Sequence, residues 1–135
     1  MYARIHAPYE VDRMLPLVRA IVGEALVSAR ALRRMTTLEP MDLAMNPLYG
    51  GDFPSEVYTR RDDLRRCLDE LEALGAYLRD PESGLVEWYG DLDGEIVYLS
   101  WLPGEPRVAH WRSLYGRPPD RRTLPLAASP QGAER

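Results

Sequence analysis

A chain of 135 residues, 45% apolar and 28% charged, has the make-up of one globular unit able to bury about two thirds of its unfolded surface, which excludes wholesale disorder. Its 17 basic residues are all arginine against 21 acids, for a net charge of −4; without lysine, Schiff-base chemistry, a P-loop and a kinase site are excluded. The single cysteine, Cys67, excludes an internal disulfide and a cysteine zinc cage, and with no apolar signal run at the start the expected location is the cytoplasm.

Nothing in the sequence reads as a membrane span. Met14 to Val27, the most apolar stretch, carries Arg19 and Glu24 and falls short of the ~20 residues a bilayer needs. Charge is laid out in blocks. Residues 1–35 carry +3, 36–58 carry −4, and 59–79 balance; 80–106 carry −7 with no arginine, and 107–135 carry +4. Because the last two blocks adjoin with opposite sign, the basic end is expected to lie back on the acidic segment rather than on nucleic acid.

After a short lead-in ending at Pro8, Val11, Leu15, Val18, Val22, Ala25, Ala29 and Leu32 recur at alternating steps of four and three, which predicts an amphipathic helix over about 9–35. Met14, Ile21 and Leu26 widen the stripe beyond a coiled-coil seam, and Pro16 is expected to bend the early turns by withholding a hydrogen bond from the Asp12 carbonyl. Residues 36–54, with three prolines and a Gly50-Gly51 pair, read as a loop with one helical turn near Met41 to Met45. Their apolar side chains, among them Leu38, Leu48, Tyr49 and Phe53, predict packing on the domain or on a second subunit.

Ser55-Glu56 opens a second helix over about 55–74, with Val57, Leu64, Cys67, Leu71 and Leu74 on one side and Gly75 as a left-handed cap. On that stripe Cys67 is a small core residue rather than a nucleophile. Three extended runs follow, Ala76 to Arg79, Leu85 to Tyr89 and Glu95 to Trp101, divided by the DPESG and GDLDG turns. Alternation turns Val86, Trp88, Val97, Leu99 and Trp101 toward the helices. Residues 107–116 form a fourth strand or a short helix, and alternation at Val108 and His110 favours the strand. The expected fold is α+β: two long antiparallel amphipathic helices packed against a small antiparallel β-meander of three or four strands at about 76–111. Residues 1–126 are read as a single domain and 127–135 as a disordered tail.

Sites are few. His6 and His110 are the only histidines and stand at opposite ends of the chain; with no HExxH, CxxC or EF-hand loop, neither a metal nor a cofactor is expected, and no catalytic residue is assigned. The one constellation is Glu105, His110, Arg112 and Arg117 beside Trp101 and Trp111. A carboxylate and an imidazole exchange protons, arginines fork onto an anionic small molecule, and a tryptophan supplies a stacking wall. The structural alternative has Glu105 paired with Arg112 or Arg117 to pin the GEP turn, with the tryptophans in the core or an interface.

LPLVR in the first helix, GLVEW after the DPESG turn, VYLSWLPGEP, then HW and a closing GR-P resemble the small bacterial proteins of the domain of unknown function 2203 family over about residues 8–124. The resemblance implies a helical pair followed by a small sheet, and no established activity. Its pattern has Cys-Trp-Arg before Gly-Glu and Trp-His later; here Ser100-Trp101-Leu102 and Trp111-Arg112 stand in those places, so thiol or metal chemistry does not carry over.

Three functions follow as expectations. The first is an interaction or scaffold protein that forms a homodimer through its helical hairpin. The second is a small enzyme or anion-binding protein using the Glu105 to Arg117 cluster. The third, against the net negative charge, is a single-stranded nucleic-acid binder using Arg107, Arg112, Arg117, Arg121 and Arg122 with Trp111 stacking on a base.

Overall fold

The computed structural model describes residues 4–46 and 52–125. The fold is α+β. A helix-rich N-terminal part holds α1 (Pro8–Met35), α2 (Pro40–Met45) and α3 (Ser55–Ala73). An antiparallel sheet follows in meander order: β1 (Tyr77–Asp80), β2 (Leu85–Leu92), β3 (Glu95–Trp101), β4 (His110–Ser113) and β5 (Arg122–Thr123).

The stripe that predicts α1 is its buried side: Val11, Leu15, Val18, Val22, Ala25, Ala29 and Leu32 are at most 1% exposed. Pro8 stands at the start, where a missing N–H costs nothing. Ala7, the N-cap, has no side-chain acceptor, so only half a capping box forms: its N–H donates to the Glu10 carboxylate at 2.6 Å. The helix runs through Pro16 to Met35 unbroken. In α3, Val57, Leu64, Cys67 and Leu71 are fully buried and pack on α1. Its end is a Schellman motif. Gly75 adopts φ +74°, its N–H donates to the Glu72 carbonyl, and the Ala76 N–H reaches back to Leu71, both at 2.9 Å.

One expectation holds and one changes. The helical turn expected near Met41 to Met45 is α2, which lies between the long helices in sequence and packs on α3. Two arginines of α3 hold it there: Arg61 donates to the Leu43 and Asn46 carbonyls at 2.8 and 3.0 Å and Arg65 to that of Ala44 at 3.2 Å, satisfying carbonyls that a helix end leaves open. The sheet has five strands rather than three or four and extends past residue 111 to Thr123. The undecided stretch 107–116 contains a strand, His110–Ser113, and Val108 is buried just before it. Of the predicted loop, Leu48 and Tyr49 lie outside the described residues, as does the tail at 127–135.

The strand phases follow the alternation. Val86, Trp88, Val97, Leu99 and Trp101 are fully buried in one core with α1 and α3, each such side chain contributing roughly 1.5–3 kcal/mol. Asp93 and Gly94, both at positive φ (53° and 87°), make the tight reversal between β2 and β3. That reversal fixes the register and therefore the opposite face: Glu87 lies across from Ser100, and Tyr89 from Tyr98.

Candidate functional site

The face of the sheet turned away from the helices is polar and aromatic. Tyr77 lies beside Glu87, Tyr98 beside both Tyr89 and Arg112, and Ser100 beside both Glu87 and His110. Glu87 is fully buried there, although no helix covers that side. Arg112 covers it instead, donating from Nε to Oε2 at 2.6 Å and from Nη2 to Oε1 at 2.7 Å; Arg79 adds a third bond from Nε to Oε1 at 3.1 Å. The remaining arm of Arg112, Nη1, donates to the Gly116 carbonyl at 2.9 Å and so ties down the chain beyond β4. Bonding to Glu87 holds the Arg112 guanidinium above its ordinary pKa against the opposing effect of burial.

Three tyrosines complete this surface. Arg112 lies 4.4 Å and Arg79 5.0 Å from the Tyr98 ring centre, and Arg79 is also 5.1 Å from that of Tyr77. Tyr89 meets Tyr98 at 5.1 Å and Tyr77 at 6.0 Å. The Tyr89 hydroxyl, more than burial, raises the Tyr98 phenol above its usual value. The result is a half-buried platform of rings and planar guanidinium groups, bound together by cation–π contacts.

A second cluster sits at the GEP turn. The Leu102 N–H donates to Glu105 Oε1 at 2.9 Å, Trp101 Nε1–H donates to the Glu105 carbonyl at 2.9 Å, and Gly104 takes φ +99°. From α1, Arg19 donates to the Glu105 and Pro106 carbonyls at 3.2 and 2.9 Å, and the Asp12 carboxylate accepts the Val108 N–H at 2.7 Å. Arg121 then spans the cluster, donating to Ser100 Oγ at 2.8 Å and to Glu105 Oε1 at 2.7 Å. Burial pushes the Glu105 carboxyl upward, but the bonds from Arg121 and Leu102 and the charges of Arg121 and His110 outweigh it and hold the pKa below the usual value. His110 Nδ1 stands 3.6 Å from Glu105 Oε2 and has no hydrogen-bond partner among the described residues.

Of the residues singled out in sequence, Glu105 and His110 meet, and Arg112 shares their face but pairs with Glu87. Arg117 is exposed; its backbone N–H bonds the Asp120 carboxylate at 3.0 Å. The pairing expected between Glu105 and Arg112 or Arg117 is therefore corrected. Arg112 stands across from Tyr98, one row from Glu87, and the arginine that reaches Glu105 is Arg121. Trp101 is fully buried on the helix side, and Trp111, across from Leu99 on that side, packs on the core with Arg122 5.6 Å from its ring centre. Missed were Glu87, Arg79, Tyr77, Tyr89 and Tyr98. Period-two alternation from Val86 and Trp88 and the Asp93-Gly94 turn carried the signal for most of them.

Among the described residues no group of three or more His, Cys, Asp or Glu is placed to hold a metal ion, and no helix is long and apolar enough to cross a membrane. No curated protein and no solved structure matches the chain. The family model described as "Uncharacterized conserved protein (DUF2203)" matches residues 4–124, nearly the whole of the fold described above, and the chain belongs to that family.

Proposed function

We propose that this is a cytoplasmic interaction protein, one domain over residues 1–126, that self-associates through the outer face of its sheet. One observation carries the reading: Tyr77, Tyr89 and Tyr98 form a half-buried platform whose arginines are already fixed on the buried Glu87. Rings and guanidinium groups held in one geometry lose little freedom on contact, and tyrosine and arginine are the side chains on which protein interfaces concentrate their energy. A phosphate backbone calls for cations free to displace counterions. Here Arg79 and Arg112 answer to Glu87, and Arg121 to Glu105.

The helical hairpin is the weaker surface. Its long stripe is used inside the chain, and what α1 leaves outside is a short line with Leu17 and Val27 about half exposed. Light scattering over the micromolar range tests the choice. The expected result is a dimer that Ile96→Glu, an exposed change at the rim of the platform, or Tyr89→Ser with Tyr98→Ser converts to a folded monomer, while Leu17→Glu with Val27→Glu leaves it intact. A chain that is monomeric throughout, or a dimer that only the α1 pair dissociates, overturns the reading.

A further inference from the structure

A cleft of about 470 Å³ opens between α1 and α3, away from the sheet face. Its size falls within the roughly 300–1,000 Å³ of small-molecule sites. Three features of its lining have no use within the fold. Gly23 lies in the middle of α1, where glycine is a poor helix former, yet a Cβ there would meet nothing within 4 Å. Ser28 is only 3% exposed and its hydroxyl makes no hydrogen bond among the described residues, yet it is not one of the buried polar atoms cut off from a partner, so it opens onto the cleft. Arg60 also has no partner there, whereas Arg61, Arg65 and Arg66 of the same helix all have theirs.

Two carboxylates line the same space. Glu24 and Asp63 share Arg66 at 3.4 and 3.5 Å, the long end of the range, against 2.6 and 2.7 Å at Glu87. Both keep acceptor capacity. The cleft thus offers a guanidinium and a hydroxyl without partners among the described residues, beside two loosely held carboxylates, with the half-exposed Val27 as an apolar wall. An anion alone would face Glu24 and Asp63, and a cation alone would face Arg60 and Arg66. A molecule carrying both charges satisfies each.

We propose that this cleft binds a small zwitterion of the amino-acid class, its carboxylate on Arg60 and Ser28, its ammonium on Glu24 and Asp63, and its aliphatic part against Val27. The test is an amide and arginine side-chain NMR titration of the full chain with L-valine, and separately with acetate and with isobutylamine as half-probes. L-valine is expected to shift Gly23, Ser28 and the Arg60 side-chain signal saturably, each half-probe to bind at least about tenfold more weakly, and Arg60→Gln to weaken L-valine about tenfold. Among the described residues Arg60 makes no bond, so that variant is expected to keep the native spectrum; Ser28→Ala, with a smaller loss, is the second. The proposal fails if L-valine gives no saturable shift, if a half-probe binds as well, or if Arg60→Gln binds unchanged. It also fails if protein concentration alone moves the same signals, which would make the cleft a contact between copies.

Discussion

Arg112 grips Glu87 through two parallel bonds, of 2.6 and 2.7 Å, on a sheet face where the carboxylate has no solvent contact. An ion pair this dry owes its place to geometry, since removing two charges from water offsets much of their attraction. Taking away one partner leaves the other charge buried and alone. Arg112→Met is therefore expected to cost about 3–5 kcal/mol. Glu87→Leu combined with Arg112→Met is expected to cost less than that single change, because no buried charge is left stranded: Arg79, which also loses its bond to Glu87, reaches solvent. Urea unfolding curves of the two variants check this; equal or larger loss in the double variant would contradict it.

The legible part of this fold is whatever repeats locally. The 3.6-residue stripe from Val11 to Leu32, the stripe from Val57 to Leu71 and the period-two residues Val86, Trp88, Val97, Leu99 and Trp101 were all readable, and all are buried. Gly75 was readable as a cap because positive φ favours glycine. The site was legible only in part. Glu105 and His110 were joined correctly, since a short turn and the next strand bring them together. Arg121 stands in the sequence only among the arginines offered to nucleic acid, and its bond to Glu105 is not legible because it spans 16 residues with no repeating signal between them. Glu87 enters the sequence reading only within the acidic block 80–106, although the phase that places its neighbours Val86 and Trp88 in the core also places it on the opposite face.

Gly23 separates stability from ligand use. If the fold alone set this position, alanine would suit it better, since its Cβ would enter open space and glycine is disfavoured in a helix interior. Gly23→Ala is expected to stabilise the protein by about 0.5–1 kcal/mol, raising the melting temperature, while adding a methyl group to the lining of the α1–α3 cleft. Thermal unfolding followed by circular dichroism measures the first effect. A lowered melting temperature would mean that the chain packs against this glycine after all.

His6 ties stability to pH. Its backbone N–H donates to the Tyr89 carbonyl at 2.8 Å beside the bridge to Gly90, and the residue is 3% exposed with neither ring nitrogen hydrogen-bonded among the described residues. The ring sits so close to Gly75 that a Cβ there would stand 2.6 Å from Cε1. Burial first, and then the charge of Arg4, lower its pKa from 6.5, outweighing Glu10 and the nearby backbone of Tyr89 and Arg4. The folded state thus takes up this proton less readily than the unfolded chain. The contribution of His6 is complete above the unfolded value and is lost as pH falls below it toward the folded one. Glu105, also held below its ordinary value, acts in a separate and more acidic window: its contribution is present above pH 4.5 and is lost as pH falls through the folded value. Urea unfolding from about pH 7.5 to about 3 should show stability declining below 6.5, and His6→Gln should flatten that decline while leaving the loss below 4.5 in place. An unchanged slope in His6→Gln would assign the decline to other groups.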